Sequence, residues 1–409
     1  MTPVPDRGDR LPPFCRPLLR VSALFLPYSF YSLLGFVALS VVLVWHRGQR
    51  YMDPLTRGSL AVAMALLLAS SVTAVDRGEA LLQLANFLPF FLLFVGLPAL
   101  LRHTDLGQRL QQGLVLASLP ISLLTLGEYG LKSSYLPSVF QQQPWVAALR
   151  AAPHKGRPMV MFDHPNVLAS YLVIVFGLAW GMLVSGPKPQ APGQRRYRFG
   201  VAAILVLTLV AIACTSSRNG LAVALLQSGI GLSLLRLPRL VKGGVLAGAS
   251  GLGFGLAALS LGATRWSPAA LLNDPRAGLW KIALDLVVER PGLGWGLGSF
   301  KQVYPPRLID PEYATVFHPH NIGLLLAAEA GIGAAIALTL LVSFTAYRSL
   351  RSRPHHPAGL WTGVNLALLG IVGFACFDVT LYDGRVNALN WLVLAWAYSL
   401  SVVSGRADP

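Results

Sequence analysis

The sequence predicts an all-α fold, a polytopic membrane bundle of about 12 transmembrane helices with one large polar loop. Three observations predict it. The 409 residues are 54% hydrophobic and only 12% charged, against roughly 25% charged in ordinary soluble domains. The apolar residues gather in runs of membrane-spanning length. The basic residues behind a formal net charge of +16 sit in short connectors between those runs, as the positive-inside rule expects. That placement excludes a nucleic-acid partner, which would need a basic stripe on a soluble fold. Mean hydropathy is +0.58.

Taken in order, the apolar runs lie near 21–45, 59–75, 80–101, 110–127, 166–185, 200–214, 219–235, 243–264, 321–345, 359–376 and 388–404. No cleaved signal peptide is read at the N-terminus, where no small-residue cleavage site follows a short apolar core. Arg7, Arg10, Arg16 and Arg20 argue for a cytoplasmic start. A single first span would place them outside, so the first run is expected to split at Pro27, Tyr28 and Ser29 into two short helices. Connectors 186–199, 236–242 and 346–358 carry the Lys and Arg and are expected on the cytoplasmic side. Parity then puts 129–165, the turn Thr215–Arg218, 265–320 and 377–387 together on the opposite face. The organisation expected is nine helices over 1–264, a periplasmic loop over 265–320, and C-terminal membrane helices over 321–409. Gly244, Gly248, Gly251 and Gly255 in the run 243–264 have the small-residue spacing of close helix packing. Cys15, Cys214 and Cys376 are too few and too scattered for a disulfide framework or a zinc site.

The stretch from Arg265 to Glu329 is the one long polar excursion, and it carries most of the candidate chemistry. Asp274-Pro275 reads as a helix start, followed by an amphipathic helix over 275–290 with Lys281, Asp285 and Glu289 at four-residue intervals. Arg276 falls in its first turn, where it can clamp a phosphate or simply snorkel to lipid headgroups. Arg218, in the segment CTSSRNG, sits at the outer end of a membrane hairpin. A charge at that depth usually faces a cavity or a partner. Thr215, Ser216 and Ser217 either assist an anion or cap the next helix. His318 and His320, in FHPHN, stand at the mouth of a span and suit acid–base work at neutral pH. Asn321 follows them. A metal there would want further ligands, and Asp310, Glu312 and His164 have no spacing that specifies one, so none is expected. Asp163 and His164 open the span 166–185 and mirror the later motif, with a helix cap as the plain reading. Glu329 lies inside a span about two turns below His320, facing away from it, and is expected to partner an arginine. The glycines Gly292, Gly294, Gly296 and Gly298 lack the Lys-Ser/Thr of a nucleotide loop and are read as a tight turn packing the loop onto the bundle.

The set TSSRNG, DPRAGLWKIALDLVVERPGLGWGLGSF and HPHNIGLLLAAEAGIGA resembles the O-antigen ligase/polymerase family of membrane glycosyltransferases, over roughly 160–340. The resemblance implies a twelve-helix bundle in the bacterial inner membrane with a periplasmic active site. It implies a metal-independent transfer of a glycan from undecaprenyl pyrophosphate to a sugar of lipid A–core, without a cofactor. The partners implied are the lipid-linked glycan, the lipid A–core or other glycan acceptor, and membrane lipid. Carried over by motif, Arg218 and Arg276 are the pyrophosphate arginines and His320, with His318 beside it, is the candidate base. Asp163, His164, Asn321 and Glu329 are supporting residues. Repeat-unit polymerisation is the nearest alternative. A different class, inorganic-carbon transport, belongs to the same superfamily, but a carrier should show polar residues at mid-span, and here they cluster at one end.

Overall fold

The computed structural model describes residues 11–45, 48–133, 136–151, 154, 156–185, 193–261, 274, 276–307, 316–353 and 356–404. Among these every regular element is helical. The helices are α1 Cys15–Phe25, α2 Ser32–Trp45, α3 Pro54–Val72, α4 Arg77–Gln83, α5 Leu88–Gly96, α6 Pro98–Leu101, α7 Thr104–Lys132, α8 Ser138–Gln141 and α9 Pro144–Ala151. They continue as α10 Pro165–Val184, α11 Gln194–Cys214, α12 Arg218–Leu234, α13 Arg239–Leu261 and α14 Arg276–Glu289. The chain closes with α15 Phe300–Val303, α16 Ile322–Ala330, α17 Ile332–Arg351, α18 Ala358–Ala375 and α19 Gly384–Ser404. Seven stretches among the described residues are helical, long and apolar enough to cross a membrane: Pro54–Val72, Arg77–Leu101, Thr104–Lys132, Pro165–Val184, Gln194–Cys214, Ile332–Arg351 and Ala358–Ala375. Among the described residues, length and composition thus give seven candidates and do not establish the twelve spans expected. The first apolar run does divide around Pro27, into α1 and the 14-residue apolar α2.

The bundle is built around α10, buried along nearly its whole length. It packs most extensively on α18, and also on α7, α11 and α12. The reason lies in four glycines. Gly181 on α10 faces Gly359 and Gly363 on α18, where a Cβ would stand 2.2 Å from the Gly359 carbonyl oxygen, and Gly177 faces the Leu366–Ala367 backbone. Small residues at this spacing bring two backbones into direct contact. Two buried glutamines stitch the same pair. Gln111 of α7 donates to the Leu178 carbonyl at 2.9 Å and the Gly359 carbonyl at 3.3 Å. Gln227 of α12 donates to the Val173 carbonyl at 3.1 Å and the Leu366 carbonyl at 2.8 Å. The glycines singled out in the sequence behave differently. A Cβ on Gly244, Gly248, Gly251 or Gly255 would meet nothing within 4 Å, so α13 does not use them for close approach.

Two expected spans are broken. The run 80–101 divides into α4, α5 and α6, with prolines at the start of α5 and α6. The run 321–345 breaks at Gly331 into α16 and α17. The second break has a clear cause. Gly331 has φ +87° and lies so close to the Gly292 carbonyl that a Cβ would be 1.9 Å from its oxygen. The turn 291–298 docks there through the bonds Ile332 N–H to Pro291 O, 2.9 Å, Trp295 N–H to Ala328 O, 3.0 Å, and Gly296 N–H to Glu329 O, 2.8 Å. The glycine-rich segment is thus a packing turn, as read from the sequence. Glu329 is buried within it. Its carboxylate accepts the Phe300 N–H at 2.9 Å and a further bond from the Gly298 amide. The arginine partner expected for Glu329 is corrected to these backbone amides, whose orphan donors the turn leaves pointing at it.

Candidate active site

One end of the bundle collects the N-terminus of α10, the α11–α12 turn, the start of α14, the turn before α16 and the α18–α19 turn. These are the segments that sequence parity put on one face. At this end lies a cleft of about 490 Å³, with His154, His164, His318, His320, Asp378 and Tyr382 among its lining residues.

His320 sits at its wall in a left-handed conformation, φ +52°. For a non-glycine residue this costs of order 1–3 kcal/mol and persists where the surroundings enforce it. Here the His318-Pro319-His320 turn is held from three sides. The His320 N–H donates to Nδ1 of His318 at 3.3 Å, and Trp280 of α14 donates to the Pro319 carbonyl at 2.8 Å. Asn321 caps α16, accepting the Leu324 N–H at 2.9 Å, and donates to the Cys376 carbonyl at 3.0 Å. The side chain of His320 then meets the residue that motif reasoning passed over. Nδ1 of His320 lies 2.9 Å from Oδ1 of Asp378, a buried carboxylate just after α18. The other oxygen of Asp378 accepts from the Asn166 amide, and Oδ1 also takes the Val379 N–H at 2.9 Å. A carboxylate on Nδ1 puts the imidazole proton there and leaves Nε2 as the basic nitrogen. Sequence reading placed 377–387 on this face, but a lone Asp after a membrane span has no motif around it.

The electrostatics separate the histidines. Burial pushes His318 down to about 4, with the His320 and Arg276 charges adding to the effect. Burial pushes His164 down to about 3. Both are neutral at pH 7. Nδ1 of His318 accepts the His320 amide, so its proton is on Nε2, and its ring meets that of Tyr382 at 6.1 Å. His164 is the cap of α10, with Nδ1 accepting the Asn166 N–H at 3.0 Å, and Asp163 is exposed at the cleft. Burial opposes ionisation of Asp378, yet the hydrogen bond and charge of His320 hold it well below the ordinary carboxylate range. Ligating atoms of His318, His320 and Asp378 lie within 4.8 Å of one another. Nδ1 of His318 and both oxygens of Asp378 are already committed to hydrogen bonds, so an ion would have to displace them. Asp310 and Glu312 lie outside the described residues.

Asp274 bonds to the Arg218 side chain and to the Arg276 backbone. Arg218 pairs with its Oδ2, while Oδ1 accepts the Arg276 N–H at 3.0 Å, closing the first turn of α14. Asp274 therefore does start that helix. The exposed positions of α14 include Lys281, Asp285 and Glu289, and Leu279, Ala283, Leu286 and Val287 form its buried face, with α16 as its packing partner. Ser217 caps α12 by accepting the Gly220 N–H at 3.3 Å, which settles the hydroxyl's role in favour of a cap. Arg218 and Arg276 are not among the residues lining the 490 Å³ cleft, although the Arg276 charge is felt at His318. The same end of the bundle thus holds two arginines and a histidine–carboxylate pair.

This combination defines a class: a helical membrane-type protein with a histidine–carboxylate pair and adjacent arginines at one end of its bundle. Residues 203–339, a segment reaching from within α11 into α17, match the family model described as O-antigen ligase. No match to a curated protein was found.

Proposed function

We propose that this protein is an O-antigen ligase-type glycosyltransferase of the bacterial inner membrane, with its cleft on the periplasmic side. It would move a glycan from undecaprenyl pyrophosphate to a sugar hydroxyl of lipid A–core. The observation that carries the reading is the His320–Asp378 pair beside Arg218 and Arg276, in a chain whose matched segment bears the family's description. Nε2 of His320 takes the acceptor hydroxyl proton as that oxygen bonds to the anomeric carbon. The bond from this carbon to the pyrophosphate oxygen breaks, and the pyrophosphate leaves with the electron pair. Arg218 and Arg276 stabilise its growing charge, which in a dry site is the largest single catalytic contribution. Bidentate guanidinium contacts suit a diphosphate better than lysine does. Arg218 is held by Asp274, so the arriving diphosphate must share or replace that carboxylate. Asp378 keeps the imidazole in the right tautomer and stabilises the imidazolium, as a triad carboxylate does.

The test is a gel profile of surface lipopolysaccharide together with lipid-linked glycan from a strain lacking the gene. Bare lipid A–core with long glycan left on undecaprenyl pyrophosphate is the expected result. Core carrying a single repeat would instead mean a polymerase, which uses the same donor chemistry. An unchanged profile would overturn the reading.

A further inference from the structure

Arg157 is a buried cation outside every motif recognised in the sequence, and its guanidinium joins the two halves of the candidate site. Nε donates to the Thr215 carbonyl at 2.8 Å, and a terminal nitrogen donates to Oδ1 of Asn166 at 2.7 Å. The second bond fixes which way the Asn166 amide faces. With its oxygen turned to Arg157, its NH2 is turned to Asp378, where it donates to Oδ2. Asp378 in turn holds Nδ1 of His320. The first bond acts on the other half. Thr215 leads into Ser216, a non-glycine residue at φ +53°, then the cap Ser217 and Arg218. Arg157, Asn166, Asp378 and Thr215 are all buried.

The loop that carries Arg157 is itself anchored. Lys132 at the end of α7 donates to the Arg157 carbonyl at 3.0 Å. Glu128, paired with Lys132 at 2.7 Å, accepts the Met159 N–H at 3.1 Å and the Val160 N–H at 2.6 Å. A buried charge is costly, and well-packed apolar residues often serve stability as well or better. A guanidinium does something apolar side chains cannot, since its rigid fork sets two directions at once. We propose that Arg157 is a positioning residue that holds the turn leading to Arg218 in register with the His320–Asp378 pair. The inference rests on the function proposed above, with Arg157 acting through Asn166 and Thr215 rather than on substrate.

Two readouts test it. In protein labelled with 15N-histidine, the imidazole shifts of His320, assigned by a His320→Gln variant, report its tautomer without any assay of transfer. Wild type is expected to show the Nδ1-protonated form, and Arg157→Gln and Asn166→Leu a mixture of tautomers. In detergent, with polyprenyl-pyrophosphate-linked glycan as donor and rough lipopolysaccharide as acceptor, both variants should lose kcat by on the order of 100-fold, as ångström-scale misplacement does. Donor KM should change far less, and Arg157→Lys should recover part of the rate. If Arg157→Gln does not fold, Asn166→Leu tests the arm to the base alone. An unchanged His320 tautomer in the folded variants, or a rate loss that only follows the unfolded fraction, would overturn the proposal. Loss of the tautomer preference with no transfer by wild type would instead keep the positioning role and sink the proposed reaction.

Discussion

At the scale of single residues, the site depends on what each titratable group is bonded to. Two neighbouring histidines occupy the same turn, yet only His320 has a carboxylate on Nδ1, while His318 spends its Nδ1 on a backbone amide. Under the proposed reaction this makes His320 the base, a choice the sequence left open between the two. Asp378→Asn keeps the shape but removes the charge that fixes the tautomer. It should lower kcat by about 10²–10⁴-fold, measured as transfer by folded variant. Activity close to wild type in Asp378→Asn would detach the carboxylate from the mechanism. Arg218, Arg276 and His320 were legible because each stands in a short polar motif at the end of an apolar run. Asp378, Asn166 and Arg157 were not, because their meaning comes from contacts across 212 residues in one case and 58 in another. Glu329 was misassigned for a related reason. A helical-wheel argument gives the direction of a side chain but not the turn of backbone packed against it.

At the scale of elements, the junctions carry the specificity of the fold. The turn 291–298 wedges between α16 and α17, and Gly331 is the position that makes room for it. Gly331→Ala adds a strained conformation worth about 1–3 kcal/mol and a clash with the Gly292 carbonyl. Its unfolding temperature in detergent should fall by several degrees. Gly244→Ala in α13, where a Cβ meets nothing within 4 Å, should leave it unchanged or slightly raised, since helical Gly→Ala gains up to about 1 kcal/mol. Equal losses in the two variants would mean that this packing account is wrong. Both positions belong to the same residue type, and one of the glycine pairs had the more regular spacing. Spacing alone did not separate them, because close approach requires a partner helix with small residues at the same level. Among the described helices, α10 and α18 supply that match at Gly181, Gly359 and Gly363.

At the scale of the whole molecule, one end is rich in polar chemistry, and the basic connectors lie at the other. α10 and α12 run from the cleft end to connectors that carry Arg195, Arg196 and Arg198, and Arg236 and Arg239. This polarity was legible from hydropathy and charge, whereas the helix breaks were not, because short helices joined at a proline or a glycine still read as continuous apolar runs. The neutral histidines at the cleft end also give the molecule a pH response. His164 and His318 are held near 3 and about 4, below the ~6.5 of an unfolded chain. Between those values the unfolded state binds protons that the folded state refuses, so stability is full above pH ~6.5 and declines as pH falls below it. Thermal unfolding in detergent should come earlier at pH 5 than at pH 7, and a His164→Gln/His318→Gln variant should narrow the difference. A pH-independent unfolding temperature would show that these side chains accept protons without penalty.

The central claim is that His320 and the arginine pair act on one lipid-linked pyrophosphate donor. It is tested most directly by transfer of labelled glycan from undecaprenyl pyrophosphate to lipid A–core by purified protein, comparing wild type with His320→Ala and Arg276→Ala. The account predicts that both variants insert and fold as wild type does and lose transfer. Full activity in both folded variants would contradict it.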